Sequence, residues 1–303
     1  MTIAITGATG FVGQAVLDEA GRRGLEVKAL TRREQKAREG VEWVSGDLHD
    51  STALSTLASG SKALLHIAGV VNAPDRAGFE HGNVTGTANV VSAARTAETE
   101  RFVCVSSLSA REPGLSDYGL SKRMAEEKVE VSGLDWTIIR PPAIYGPRDT
   151  EILELFRAAK WGVVPMPPEG RASLIHVDDL ARLLLDSALG TGRDWSQRIF
   201  EVDDARKGGW AHSELARAIG EAMGRNVFAP AVPAGLLKAA AQLDRMLRGE
   251  KAKLTPDRAS YMVHPDWVSD PEKAVPEALW SARIDTREGL RETARWYAEQ
   301  GWL

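Results

Sequence analysis

The chain of 303 residues is 43% hydrophobic and 26% charged, the make-up of an ordinary soluble globular protein with room for two domains. A formal net charge of −4 provides no basic face for nucleic acid. The single cysteine, Cys104, excludes an internal disulfide framework and fits a reducing compartment. No charged and apolar leader precedes "TIAITGATG", and no apolar run approaches the ~18–20 residues of a membrane span. The expected compartment is the cytoplasm, with no membrane partner.

In chain order, "TIAIT" (2–6), "EVKALT" (26–31), "EWVS" (42–45), "ALLHIA" (63–68), "RFVCVS" (101–106) and "WTIIR" (136–140) read as strands. Amphipathic stretches at 11–23, 79–97 and 117–132 separate several of them. Apolar strands alternating with helices predict an α/β fold, a Rossmann-type doubly wound parallel sheet covered on both faces. Past Pro141 and Pro142 the rhythm changes to helical patterns at 151–161, 178–189, 212–223, 234–248 and 286–299. Seven of the nine tryptophans lie at or beyond Trp161, so the second half differs in character from the first. The expected division is a dinucleotide-binding domain over 1–165, with 171–202 returning to it, and a mainly helical substrate-binding or lid region over 203–303.

"TGATGFVG" (6–13) places Gly7, Gly10 and Gly13 between the first strand and a helix. Glycines there permit a tight turn and let backbone N–H groups approach a pyrophosphate at the positive helix end. The second strand then decides the dinucleotide. A carboxylate at its tip would suit the ribose of NAD, whereas arginine suits the 2′-phosphate of NADP. The tip reads "VKALTRRE", with Arg32 and Arg33 and no acid before them, so NADP is preferred and NAD is the alternative.

"SDYGLSK" (116–122) sets Tyr118 one helical turn before Lys122. A free phenol, with a pKa near ~10, handles protons poorly at neutral pH, and a neighbouring ammonium would bring it nearer its anion. With "TGATGFVG", "GDL" (46–48), "LLHIAG" (64–69), "NVTGTANV" (83–90), "VSS" (105–107), "RPPAIYGP" (140–147) and "IHVDDLA" (175–181), the sequence resembles the extended short-chain dehydrogenase/reductase family, whose members include nucleotide-sugar epimerases and dehydratases. The ending "REGLRETARWYAEQGWL" is similar to that branch's C-terminal helix.

The resemblance implies Tyr118 as general acid/base, Lys122 as the group that lowers its pKa and holds the nicotinamide ribose, and Ser107 as the hydrogen-bond donor to the substrate oxygen. Ser106 is the competing serine and a cofactor neighbour. Gly7, Thr9, Gly10, Phe11, Val12 and Gly13 would cradle the pyrophosphate, and Asp47 and Leu48 would border the adenine. Ala68, Gly69, Pro141 and Ile144 would line the rest of the cofactor. Ser, Tyr and Lys suffice for hydride transfer to a carbonyl, and no metal is expected. Extended members are often dimers, which makes a homodimer the expected assembly.

Two features depart from the sugar-epimerase pattern. Only "LSAREPGLSD" separates Ser107 from Tyr118, a short connection for a wall of the substrate site. Ala172 stands four residues before His176, where several epimerases carry a diphosphate-binding arginine, and Arg171 is one position earlier. On a strand that shift turns the side chain to the other face. NADPH-dependent reduction of a carbonyl substrate is therefore expected first. A nucleotide-sugar epimerase, dehydratase or 4-keto reductase is the alternative, and a dinucleotide-binding sensor or assembly subunit without turnover the second.

Other residues read more plainly. His176, Asp178 and Asp179 fit a strand-to-helix junction with a capped start. Asn83 would help order the site helix, Tyr145 shape a turn or touch ligand, and Cys104 fill core. The apolar stripe of 235–249 is expected in the core or as a substrate lid, with a dimer face and a membrane surface as alternatives.

Overall fold

The computed structural model describes residues 2–249, 252 and 254–303. In chain order the elements are β1 (Thr2–Thr6), α1 (Phe11–Arg22), β2 (Glu26–Thr31), β3 (Val41–Ser45), α2 (Ser51–Ala58), β4 (Ala63–His66), α3 (Arg76–Phe79), a π-helical turn (Glu80–Thr85) and α4 (Gly86–Thr96). There follow β5 (Arg101–Val105), a 3₁₀ turn (Leu108–Arg111), α5 (Asp117–Glu130), β6 (Trp136–Arg140), β7 (Ala143–Tyr145), α6 (Leu153–Ala159), β8 (Arg171–Ala172), β9 (Leu174–His176) and α7 (Val177–Leu189). The chain ends with β10 (Arg198–Glu201), β11 (Trp210–Ala211), α8 (His212–Ala222), α9 (Ala234–Arg248), α10 (Pro256–Met262), β12 (Asp266–Trp267), a 3₁₀ turn (Pro271–Lys273) and α11 (Thr286–Glu299).

Two compact units result, one of Met1–Pro141, Leu180–Glu201 and Val275–Trp280, the other of Pro142–Asp179, Val202–Ala274 and Ser281–Leu303. The first unit is built on a seven-stranded sheet in the order β10-β6-β5-β4-β1-β2-β3, every pair parallel. Strands β4, β5 and β6 are buried along their whole length, which is why they read as continuous apolar runs. The core on one face is built from Leu54, Leu57, Leu64, Val90, Phe102, Val129 and Ile138. The chain runs from β1 outward to β2 and β3, then returns beside β1 as β4. That reversal creates a crevice at the carboxyl ends of β1 and β4, where such sheets bind ligands.

The second unit pairs β7 with β9 in parallel and β8 with both β11 and β12. Its core gathers Tyr145, Phe156, Leu174, Ile219, Leu290 and Tyr297, and the aromatic rings of Phe156 and Tyr297 meet edge to face at 5.3 Å. Its boundary falls at Pro141/Pro142 rather than at 165, because β7 pairs with β9 and α6 packs in this second core. The segments returning to the first unit are 180–201 and 275–280, and strand β10, too short and charged at both ends to read as a strand, extends the first sheet. Of the expectations for 235–249, core or substrate lid, the core is corrected. Of α9 only Ala241 is fully buried, and its stripe of Leu236, Leu243, Met246 and Leu247 faces outward.

Candidate functional site

The turn after β1 is closed by Gly10 N–H donating to the Gly7 carbonyl at 3.0 Å. Gly7 sits at φ +77°, where L side chains are strained, and an added Cβ would lie 2.6 Å from the Ala68 nitrogen. A Cβ on Gly13 would lie 2.1 Å from the Gly7 carbonyl oxygen. Both glycines thus exist for close backbone approach, which brings Gly7 against Ala68 at the β1/β4 crevice. Thr9 and Gly10 are exposed, and Phe11 and Val12 half-buried at the start of α1. That helix has no side-chain cap and no acid in its first turn, so its leading N–H groups could hold an anion.

At the tip of β2 the Thr31 hydroxyl donates to the Arg33 carbonyl at 2.6 Å and fixes the turn. Arg32 and Arg33 are exposed, and among the described residues neither guanidinium has a hydrogen-bond or ion-pair partner. Asp47 is exposed and accepts from His49 N–H at 2.8 Å. Leu48 packs on Gly86, where a Cβ would come within 2.8 Å of its Cδ1. A bound dinucleotide fits this geometry: a glycine cradle at a helix N-terminus, a small-residue wall at Ala68, and cations at the β2 tip.

Beyond β4, Gly69 lies under the Lys122 ammonium, whose Nζ would be 3.6 Å from an added Cβ. Lys122 is buried and donates to the Val105 carbonyl at 2.9 Å. Burial pulls its pKa down, while Cys104 and Glu126 pull the other way. Asn83 accepts from Val70 N–H at 2.7 Å and donates to the Val70 carbonyl and the Ser121 hydroxyl, each at 2.9 Å. The π-helical turn that carries Asn83 inserts the extra residue that re-aims this side chain inward. It thereby ties the segment after β4 to α5, one residue from Lys122.

Tyr118 is half-buried in the first turn of α5, with its ring 6.0 Å from that of Phe79. Ser107 caps the 3₁₀ turn, and its Oγ accepts from both Ser109 N–H, at 3.2 Å, and the Ser109 hydroxyl, at 2.9 Å. A hydroxyl has one proton and two acceptor positions, so Ser107 keeps its proton for another acceptor. Ser106 instead donates to Glu126 at 2.5 Å. Glu126 is fully buried and bound by Arg140 at 2.7 and 2.8 Å, and Arg140 also reaches Glu201 at 3.4 Å. The Ser106 side chain is therefore held in a buried ionic network. Pro141 follows β6 in the first unit, while Ile144 stands on β7 of the second, paired with Ile175.

A family profile described as NAD(P)H-binding matches residues 7–189, well over half of the chain. The chain is an extended short-chain dehydrogenase/reductase. This dehydrogenase/reductase is 35% identical to ceramide reductase of Caulobacter vibrioides, over 99% of this chain and 96% of that protein. It is also 35% identical to sterol demethylase protein B of Methylococcus capsulatus, over 49% of this chain and 53% of that protein. Among solved structures, MoeE5 in complex with UDP-glucuronic acid and NAD superposes with a TM-score of 0.74 at 21% identity, covering 99% of this chain and 100% of that one. At that identity the likeness is one of fold.

The short-chain dehydrogenase/reductase thus binds NAD(P), and its family comprises oxidoreductases, epimerases and dehydratases. Sequence reasoning missed Ser109, Gly119 and the Glu126–Arg140 pair. A Cβ on Gly119 would lie 2.7 Å from the Ser109 carbonyl oxygen, so this glycine lets the 3₁₀ turn seat against α5. Signals for the ion pair were present: Glu126 lies one helical turn after Lys122, and Arg140 ends an apolar strand, where a charge demands a buried partner.

Proposed function

We propose that this enzyme is an NADPH-dependent reductase of a ketone on a large apolar lipid, with a keto form of a ceramide as the substrate class. What carries the reading is the similarity to ceramide reductase over nearly the whole of both chains, in a chain that retains Ser107, Tyr118 and Lys122. Exposed Arg32 and Arg33 support NADPH, and a net reductase draws on that carrier.

The bound cofactor supplies the hydride to the carbonyl carbon. The Tyr118 phenol then gives its proton to the developing alkoxide, and the product is the secondary alcohol. The Lys122 ammonium stabilises the phenolate left behind, at a site where burial strengthens their attraction. The Ser107 proton, left available by the two bonds from Ser109, would donate to the same oxygen and stabilise its negative charge. Asn83 holds Ser121, the neighbour of Lys122 on α5, through its side-chain amide.

Arg171 counts against a nucleotide-sugar substrate, because its guanidinium is engaged by the carbonyls of Gly208 and Gly209 within the second unit, the latter at 2.8 Å. The test of the assigned chemistry is Tyr118→Phe. We expect kcat to fall by about 10²–10⁴-fold with NADPH affinity unchanged. Turnover at the wild-type rate would remove Tyr118 from the reaction.

A further inference from the structure

The second unit carries an exposed apolar surface that holds none of the residues assigned to the reaction. Along α9, Leu236, Leu243 and Leu247 are spaced by seven and four residues and so share one face, with Met246 beside them. Their exposures are 64%, 56%, 76% and 83%. The side about 100° round the helix, at Leu237, Ala241 and Asp244, is where it is most buried. Scattered exposed hydrophobic residues need no explanation, but three leucines on one helical face with a methionine beside them do.

The same unit exposes Trp161 at 87% and Phe228 at 69%. Phe228 N–H donates to the Gly162 carbonyl at 2.8 Å, and Val164 N–H donates to the Phe228 carbonyl at 2.9 Å, so these aromatics lie on adjoining backbone. From Phe228 the chain continues through Val232, whose N–H donates to the Met166 carbonyl at 2.8 Å, directly into α9. Aromatic residues of this kind concentrate where protein meets the lipid headgroups.

Charge identifies the occupant. The whole chain has a formal net charge of −4, yet α9 carries Lys238, Arg245 and Arg248 against Asp244 alone. A helix is about 10 Å across, so cations on its far side stay within about one Debye length of a surface met by the leucine stripe. A basic amphipathic helix with an unpartnered leucine face fits an anionic bilayer better than a second acidic copy of this chain.

We propose that the exposed face of α9, with Trp161 and Phe228 as further anchors, docks this enzyme on the surface of an anionic lipid bilayer. The inference rests on the lipid-reductase reading, because a water-insoluble ketone is reached where it resides. It also replaces the expectation of no membrane partner. No helix among the described residues is long and apolar enough to cross a membrane, and the binding proposed lies in the interfacial plane.

Flotation of the full-length protein with phosphatidylcholine vesicles, with and without phosphatidylglycerol, tests it. The wild type should float with the vesicles, more strongly when phosphatidylglycerol is present. The double variant Leu243→Glu, Leu247→Glu should lose at least about tenfold of that partition, with its melting temperature and NADPH binding unchanged. A wild type that stays unbound, or a double variant that floats equally well, overturns the proposal. So does a wild-type dimer that these substitutions dissociate while neither form binds vesicles. Flotation needs neither substrate nor cofactor. Reduction of a detergent-dispersed keto-ceramide without flotation removes only the docking surface. Flotation without any reduction supports the surface and removes the lipid-reductase reading.

Discussion

At the scale of single residues, position relative to solvent decides what each charged group can do. Arg32 and Arg33 stay in water at the β2 tip, so they cost little to hold ready for a phosphate. Charge-assisted hydrogen bonds contribute about 1.5–3 kcal/mol each, which corresponds to roughly tenfold to a hundredfold in affinity. Arg32→Ala or Arg33→Ala should weaken NADPH binding by that factor in a fluorescence titration and leave NADH binding unchanged. Equal effects on both cofactors would contradict the assignment. His66 is the opposite case. It is buried between the hydroxyls of Thr6, at 2.7 Å, and Thr87, at 2.9 Å. Burial first, and the Lys122 charge second, push its pKa down from about 6.5 to about 3. The unfolded chain takes up this proton more readily, so the stabilising effect is full above pH ~6.5 and is lost as pH falls towards ~3. At about 1.4 kcal/mol per pH unit, urea unfolding at pH ~5 should show about 2 kcal/mol less stability from this group than at pH ~6.5. His66→Gln should flatten that slope, and an unchanged slope would contradict it.

At the scale of elements, the site depends on how closely α5 and the turn after β5 approach each other. Gly119 permits that approach, since any Cβ would press on the Ser109 carbonyl. Gly119→Ala should move the 3₁₀ turn, and with it Ser107. Small displacements of positioned groups have large rate effects, so kcat should drop by about tenfold to a hundredfold while α5 still forms by circular dichroism. A wild-type kcat would show that the two elements seat independently of this contact. Elements of this kind were legible in the sequence to different degrees. β1, β2 and β6 were readable to the residue, β1 and β6 as mostly apolar runs and β2 from the apolar positions Val27, Ala29 and Leu30 that it buries. The helix expected over 79–97 is instead α3, a π-helical turn and α4, since hydrophobic spacing does not register a single inserted residue. The α9 stripe was visible as spacing, but its exposure was not, because apolar periodicity alone cannot tell a protein core from a lipid surface.

At the scale of the whole molecule, the tight glycine turn after β1, the exposed tip of β2 at Arg32 and Arg33, and the helix that carries Tyr118 and Lys122 were legible because each is a local pattern. The Glu126–Arg140–Glu201 network and the support of Ser107 by Ser109 were not, and of the return to the first sheet the segment was expected but the strand β10 was not. The ionic network depends on residues far apart in sequence that only the folded chain brings together, whereas Ser107 and Ser109 are near neighbours whose contact follows from the 3₁₀ turn. The substrate lies at this scale too, since a pocket for a long apolar ligand has no short motif. The account's central claim is net reduction of a lipid ketone, and the most direct test is to supply purified enzyme with NADPH and a detergent-dispersed keto-ceramide. The account predicts one NADPH oxidised for each alcohol formed, with no requirement for a nucleotide sugar. No NADPH oxidation with that lipid, together with conversion of a UDP-sugar without net consumption of the cofactor, would contradict it.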